Sequence, residues 1–277
     1  MTPLFILPFD HRSSFARDLL GKIYPVKGAD KKKLIECKNV IFDGILWAKA
    51  RYKGNGALAT IIDEEFGTPV IRAAKKHGVP FALTTEAPGH DEFAFIHGAG
   101  FGAALRRVKP TFAKALVSYT PGNEKPNAVA RKRLKALSAW CEKEQMDFML
   151  EVLVGDMPES KKEAAITRTI DEMHAAGIRP TVWKIEGLPT AQAWKRLAKH
   201  TDAQLIMLGR GESQKQVDAW LAAAAHSGKA IGFAIGRTVF LKPLAAYVAG
   251  SKTREETVEA IGKNYLRAIN RWHKEAR

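Results

Sequence analysis

Hydrophobic positions along this chain follow two rhythms in turn. Short, mostly apolar runs recur at residues 4–9, 57–62, 81–85, 112–119, 148–154, 181–186, 205–208 and 230–235. Runs of that length, bounded by Gly, Pro, Asp or Glu, are the pattern of buried strands. Between them lie stretches in which apolar residues return every three or four positions, as on one face of a helix. Punctuation supports the division. A short helical segment over 13–20 stops at Gly21, and Asp30 caps a helix over 31–51 whose inward positions are Leu34, Val40, Ile41, Ile45 and Trp47. Pro69 starts a helix over 69–77 that stops at Gly78, and Asp91 opens another toward Gly98. Further helices are predicted over 125–144, 159–176, 190–200 and 214–226, with a closing helical region from Val239 interrupted near Gly250.

Eight strands in strict alternation with about eight helices predict an α/β fold, because parallel neighbours need a crossover of roughly a dozen residues or more. Eight such units predict one (β/α)8 barrel domain over residues 1–277. The rival, an open doubly wound sheet, wants a G-x-G-x-x-G turn after its first strand, and none is present. The length suits the barrel, which typically takes about 250 residues.

Charge narrows the partners. Forty-four Lys and Arg against 29 Asp and Glu leave a net charge of +15, which favours anionic ligands such as phosphorylated metabolites or nucleic acid. The basic runs Lys31-Lys32-Lys33 and Arg131-Lys132-Arg133, and the stretch 267–277, read as solvated helix faces. No aromatic-basic interleaving accompanies them, so a small anionic ligand is expected rather than nucleic acid. Cys37 and Cys141 lie in helical stretches and form no disulfide framework. The N-terminus lacks a basic segment and a long apolar core, and no apolar run approaches the roughly 20 residues of a membrane span. A soluble cytoplasmic protein is expected, with a homo-oligomer left open.

The candidate chemistry begins with Lys184, a charged residue inside a strand. Lys114 and Glu151 lie inside the two preceding strands, so three consecutive strands offer a positive, a negative and a positive group. Self-satisfied buried ion pairs are the plain alternative for any one of them. Barrel function, however, sits at the C-terminal strand ends, and these hold Asp10-His11-Arg12, Asp63-Glu64-Glu65, Glu86, Glu186, Gly209-Arg210-Gly211 and Gly236-Arg237-Thr238. A desolvated lysine beside a second cation loses its proton more easily and becomes a nucleophile toward a ketone. The resulting protonated imine withdraws electrons and lets a neighbouring carbon–carbon bond break, which is class I aldol cleavage. Glu151 is placed to move protons, and Asp10 to hold substrate hydroxyls or share that work. Spacing leaves open which lysine is the nucleophile. Period two puts Glu186 on the face of Lys184. The Gly209-Arg210-Gly211 and Gly236-Arg237 turns fall on the two loops where barrels often hold phosphate. His11 is the one histidine at a strand end, suited to touching substrate or to a structural hydrogen bond. No ligand spacing among the eight histidines suggests a metal, and no cofactor is expected.

The motifs Pro8-Phe-Asp-His-Arg-Ser-Ser14, Phe112-Ala-Lys-Ala-Leu-Val-Ser-Tyr119, Leu150-Glu-Val152, Trp183-Lys-Ile-Glu186 and Ile235-Gly-Arg-Thr238 carry a resemblance. The chain resembles the aldolase-like domain fused behind the kinase in bacterial 5-dehydro-2-deoxygluconokinases of inositol breakdown. It is more distantly similar to class I tagatose-1,6-bisphosphate and sulfofructose-phosphate aldolases. The resemblance implies that Lys184 is the Schiff-base lysine and Glu151 the catalytic glutamate. It likewise implies that Lys114 and Asp10 are active-site residues and that Gly236 and Arg237 form the phosphate turn. It further implies a functional link to a sugar kinase. As substrate it implies 2-deoxy-5-keto-gluconate 6-phosphate, cleaved to dihydroxyacetone phosphate and malonate semialdehyde. His11 stands where the tagatose enzymes carry glutamine, and Gly209-Arg210-Gly211 replaces a Ser-Ala-Gly-like turn, departures that bear on substrate rather than on imine chemistry. Other expectations to set beside it are a tagatose-bisphosphate- or sulfofructose-phosphate-type aldolase, or a non-catalytic phosphosugar-binding module.

Overall fold

The computed structural model describes residues 2–89 and 92–276. The eight apolar runs form β1 (Leu4–Pro8), β2 (Ala57–Ile62), β3 (Phe81–Thr84), β4 (Phe112–Ser118), β5 (Asp147–Leu153), β6 (Val182–Glu186), β7 (Gln204–Leu208) and β8 (Ala230–Ala234). Each pairs in parallel with its neighbour in sequence, and β8 returns to β1, closing the barrel. Closure depends on one close approach. Gly232 pairs with Leu4, and a Cβ there would stand 1.8 Å from the Leu4 carbonyl oxygen.

Ten α-helices surround the strands among the described residues: α1 (Ser13–Leu20), α2 (Gly28–Arg51), α3 (Glu64–Lys76), α4 (Phe101–Val108), α5 (Glu124–Lys143), α6 (Glu159–Ala175), α7 (Ala191–Leu197), α8 (Gln214–Ser227), α9 (Arg237–Val248) and α10 (Arg254–Glu275). Three boundaries differ from expectation for local reasons. Asp30 lies in the first turn of α2 and not at its cap, a position where its charge still complements the helix dipole. The cap of α3 is Asp63, whose carboxylate accepts the Phe66 N–H at 2.8 Å. Pro69 therefore sits inside α3 rather than at its start. No helix runs through 92–97. There the backbone bonds across a loop instead, with Ala87 N–H donating to Ala94 O at 2.8 Å and Ile96 N–H to Thr85 O at 2.9 Å. Asp91 itself lies outside the described residues.

Strand alternation sorts side chains onto two surfaces. Phe5, Leu7, Trp183, Ile185 and their counterparts face the helices and form the main core. Leu4, Ile6, Ala59, Ile61, Ala82, Met149, Val182, Ile206 and Ala234 fill the barrel interior. Moving along the strands, the inward positions change character. Ile6 gives way to Asp10, Ile61 to Asp63, Ala82 to Glu86, Met149 to Glu151, and Val182 to Lys184 and Glu186. The apolar plug fills the lower barrel, and a charged layer occupies its C-terminal mouth. Tyr265 of α10 fastens the helical shell to β1 by donating to Phe5 O at 2.7 Å. Cys37 and Cys141 are buried and unpaired. Among the described residues no helix is long and apolar enough to cross a membrane.

Candidate active site

Lys114 and Lys184 emerge from the barrel wall into different surroundings. In register, Lys114 pairs with Met149 while Glu151 pairs with Lys184. Lys114 thus starts one inward position lower than Glu151, and its four-carbon stem lifts the ammonium to the carboxylates above. It donates to Glu86 Oε1 at 2.6 Å and to Asp10 Oδ2 at 3.0 Å, and pairs with Glu151 Oε2 at 2.9 Å. Burial opposes its charge, but Asp10, Glu151 and Glu86 outweigh that and hold the ammonium well above the ordinary lysine value. Lys114 is fixed as a cation. Lys184 is ion-paired with Glu151 Oε2 at 2.7 Å. Glu151 therefore bridges the two lysines.

The carboxylates respond to the same field. Burial raises Asp10 and Glu151 toward the protonated form, but Lys114 and Lys184 overcome it and hold both below the usual range. Glu86 goes the other way. Its burial and the nearby Asp10 charge push it up against the pull of Lys114 and Arg12. Among the described residues no group of three or more His, Cys, Asp or Glu side chains is arranged to hold a metal ion. Where Asp10, Glu86 and Glu151 converge, the Lys114 ammonium fills the centre.

These groups floor a cleft of about 470 Å³ in the barrel mouth. One wall is the β1–α1 segment, with His11, Arg12, Ser13, Ser14 and Arg17; the other is the loop after β3, from Glu86 to Gly89 and from Glu92 to Ala94. Arg12 is buried and spans the walls, donating through Nη2 to the Glu86 carbonyl at 2.8 Å. Its Nη1 and Glu86 Oε2 are both buried without a partner. His11 also has an unpartnered Nδ1. Burial, with Arg237, Lys184 and Lys38 opposing Asp10, lowers His11 to about 4, so it is neutral at physiological pH.

The two turns expected to hold phosphate lie outside the cleft lining. Glu186 faces inward as expected but is fully buried in its own network, accepting the Val154 N–H at 2.9 Å and the Arg210 guanidinium. Arg210, with φ at 54°, also reaches Asp156 at 3.4 Å. Arg237 donates to the Arg210 carbonyl at 2.5 Å, and its guanidinium lies over Gly211, where a Cβ would stand 2.5 Å from Arg237 Cζ. Gly209 joins the turn to β8 through its N–H to Ala234 O at 3.1 Å. Gly236 caps α9 without any side-chain bond.

A family model described as an uncharacterized protein conserved in bacteria (DUF2090) matches residues 1–276. The chain belongs to this family. No curated protein matches this member of DUF2090 in sequence. In fold it is similar to a fructose-bisphosphate aldolase from Plasmodium falciparum, with a TM-score of 0.75 and 12% identity over 100% of this chain and 92% of that one. It is also similar to an archaeal fructose-1,6-bisphosphate aldolase whose catalytic lysine carries the carbinolamine intermediate of its substrate, at a TM-score of 0.58, 11% identity and coverages of 95% and 93%. A third similarity is to the YdjI aldolase of Escherichia coli K12, at a TM-score of 0.55, 11% identity and coverages of 87% and 95%. At these identities the likeness establishes the barrel.

Two residues of this DUF2090 protein stand out beyond those singled out from sequence. Glu86 appeared there only as a strand-end acid, yet it is a direct partner of Lys114. Lys38 gave no signal, since it reads as one lysine among many in a helix. It is fully buried, pairs with Asp63 and donates to His11 O at 3.1 Å, anchoring the segment that carries Asp10 to Ser14. Its place on the inward stripe of α2, beside Cys37 and one turn after Leu34, was the available clue.

Proposed function

We propose that this protein is a class I aldolase acting on a phosphorylated keto sugar, with Lys184 as the Schiff-base nucleophile. The observation that carries the reading is the contrast between the lysines. Lys114 is held charged by three carboxylates, whereas Lys184 borders the cleft and is ion-paired with Glu151. Glu151, kept ionised by both cations, accepts a proton from Lys184 and frees the amine. The amine attacks the substrate ketone. Glu151 then returns a proton to the carbinolamine hydroxyl, water leaves, and the iminium forms. Lys114 keeps Glu151 and Asp10 oriented through this exchange and neutralises part of their charge.

One anion-binding feature borders the cleft, and a second lies outside its lining. The N-terminus of α1 has no side-chain cap, and Ser13, Ser14 and Arg17 border it on the cleft. Its free N–H groups suit phosphate or carboxylate. The α9 N-terminus at Gly236, with Arg237, supplies a second on the loop suggested by the resemblance. A keto sugar with an anion on the α1 side fits the cleft, and the choice among such sugars follows the resemblance. We therefore rank 2-deoxy-5-keto-gluconate 6-phosphate first, with tagatose-1,6-bisphosphate and sulfofructose phosphate as the next substrates.

The test is retro-aldol turnover of these three sugars by EDTA-treated protein, coupled to detection of the triose product. Turnover of at least one, lost in Lys184→Met, is the expected result. Saturable binding of all three without any product would remove the catalytic reading.

A further inference from the structure

Glu86 and Arg12 form a pair that the imine steps leave unused. Arg12 Nη2 is fixed on the Glu86 carbonyl at 2.8 Å. That leaves one unfilled donor, Arg12 Nη1, and one unfilled acceptor, Glu86 Oε2, on linked residues of the same cleft. Arg12 is 6% exposed and Glu86 8% exposed. Buried polar atoms without partners are uncommon and call for a cause. A phosphate or carboxylate would satisfy Arg12 but meet repulsion from Glu86. A hydroxyl satisfies both, accepting from the guanidinium and donating to the carboxylate.

We propose that Glu86 is a catalytic base of the bond-breaking step, with Arg12 as the donor that stabilises the charge developing on the same oxygen. This rests on the aldolase reading and divides its proton work. Glu151 serves the imine nitrogen at Lys184, and Glu86 serves the substrate hydroxyl on the carbon that becomes the aldehyde. In the step, Glu86 Oε2 takes the hydroxyl proton as the oxygen forms its carbonyl. The carbon–carbon bond breaks, and its electron pair moves to the iminium to give the enamine. Glu86 releases the proton to water when the aldehyde leaves. The substrate class follows: a ketose or keto acid with a free hydroxyl two carbons from its ketone. Two further features favour Glu86 over its neighbours. Asp10 and Glu151 are held as weak bases by two lysines. Glu86 touches one lysine and is pushed up by burial and by Asp10, toward the range in which a base works best near neutral pH.

Three partial reactions of Glu86→Gln separate this role from the others. Dihydroxyacetone phosphate with borohydride reports the imine. Exchange of its carbon-bound hydrogen in deuterated water reports the enamine. Aldol addition to glyceraldehyde reports the step assigned to Glu86. The expected result is trapping and exchange close to wild type with addition slowed about 100- to 10,000-fold, the span of one general base. Retained trapping also shows that the variant is folded. Unchanged addition would overturn the proposal. Loss of all three reactions would overturn it too, because Glu86 would then only support Lys114. Absence of trapping in the wild-type protein would instead strike the aldolase reading itself.

Discussion

Lys184 and Lys114 are the same residue type on strands that flank β5, one inward position apart in depth, and the difference between their surroundings is made by carboxylates. Removing the Lys114 cation by Lys114→Met leaves Asp10, Glu86 and Glu151 facing one another. Breaking a buried ionic cluster this way costs about 3–5 kcal/mol. The loss, read by urea denaturation at pH 7, is expected to shrink toward pH 4 as the carboxyls take up protons. A loss that does not change with pH would argue against mutual repulsion. His11 gives a second pH signature. Its folded value of about 4 lies below the ordinary 6.5, so the unfolded chain binds a proton first as pH falls. Stability is therefore expected to decline from pH 6.5 toward 4 and to decline less in His11→Asn, measured by melting temperature across that window. Asp10 and Glu151, also held low, add their own loss at still lower pH. In sequence, the positive, negative and positive set on three consecutive strands was readable because period two is rigid. Glu86 was not readable as a partner, since its approach to Lys114 depends on barrel closure and on how far a lysine stem reaches.

At the scale of elements, the stretch from the end of β1 into α1 carries six of the cleft residues, and its anchor lies beneath it in α2. Lys38 joins Asp63 to the His11 carbonyl and stands over the rings of Phe15 and Phe66 at 5.3 and 5.2 Å. Asp63 in turn caps α3. Asp63→Ala is expected to remove about 1 kcal/mol of capping and, by stranding Lys38, a further roughly 3 kcal/mol. The double change Asp63→Ala with Lys38→Met should recover part of that loss. Additive losses in the double-mutant cycle would show that the pair is uncoupled. The expected helix over 91–98 failed at this scale. Its residues carry a cap signal, but Ala87 and Ile96 find backbone partners across the loop, a long-range choice that local propensity cannot contain. Pro69 misled similarly: proline marks a first turn well, yet α3 admits it further in because the Asp63 cap fixes the start.

The whole molecule was the most legible level. Eight apolar runs with helical spacing between them leave few arrangements once parallel pairing and one close approach at Gly232 are allowed. Strand limits fell within a residue of expectation, because the apolar runs are bounded by the Gly, Pro, Asp and Glu positions where the chain turns. Net charge also acts at this level. With +15 overall, encounter with a doubly anionic sugar is expected to slow as salt rises, so kcat/KM should fall between 20 and about 300 mM ionic strength while kcat stays level. A salt-independent kcat/KM would remove steering from the account. The central claim remains that Lys184, not Lys114, bonds to the substrate carbon. The direct measurement is borohydride reduction of the protein with dihydroxyacetone phosphate, followed by peptide mapping of the adduct. A single adduct on the peptide containing Lys184, absent from Lys184→Met, is the expected result; an adduct on Lys114, or turnover by Lys184→Met at the wild-type rate, would contradict it.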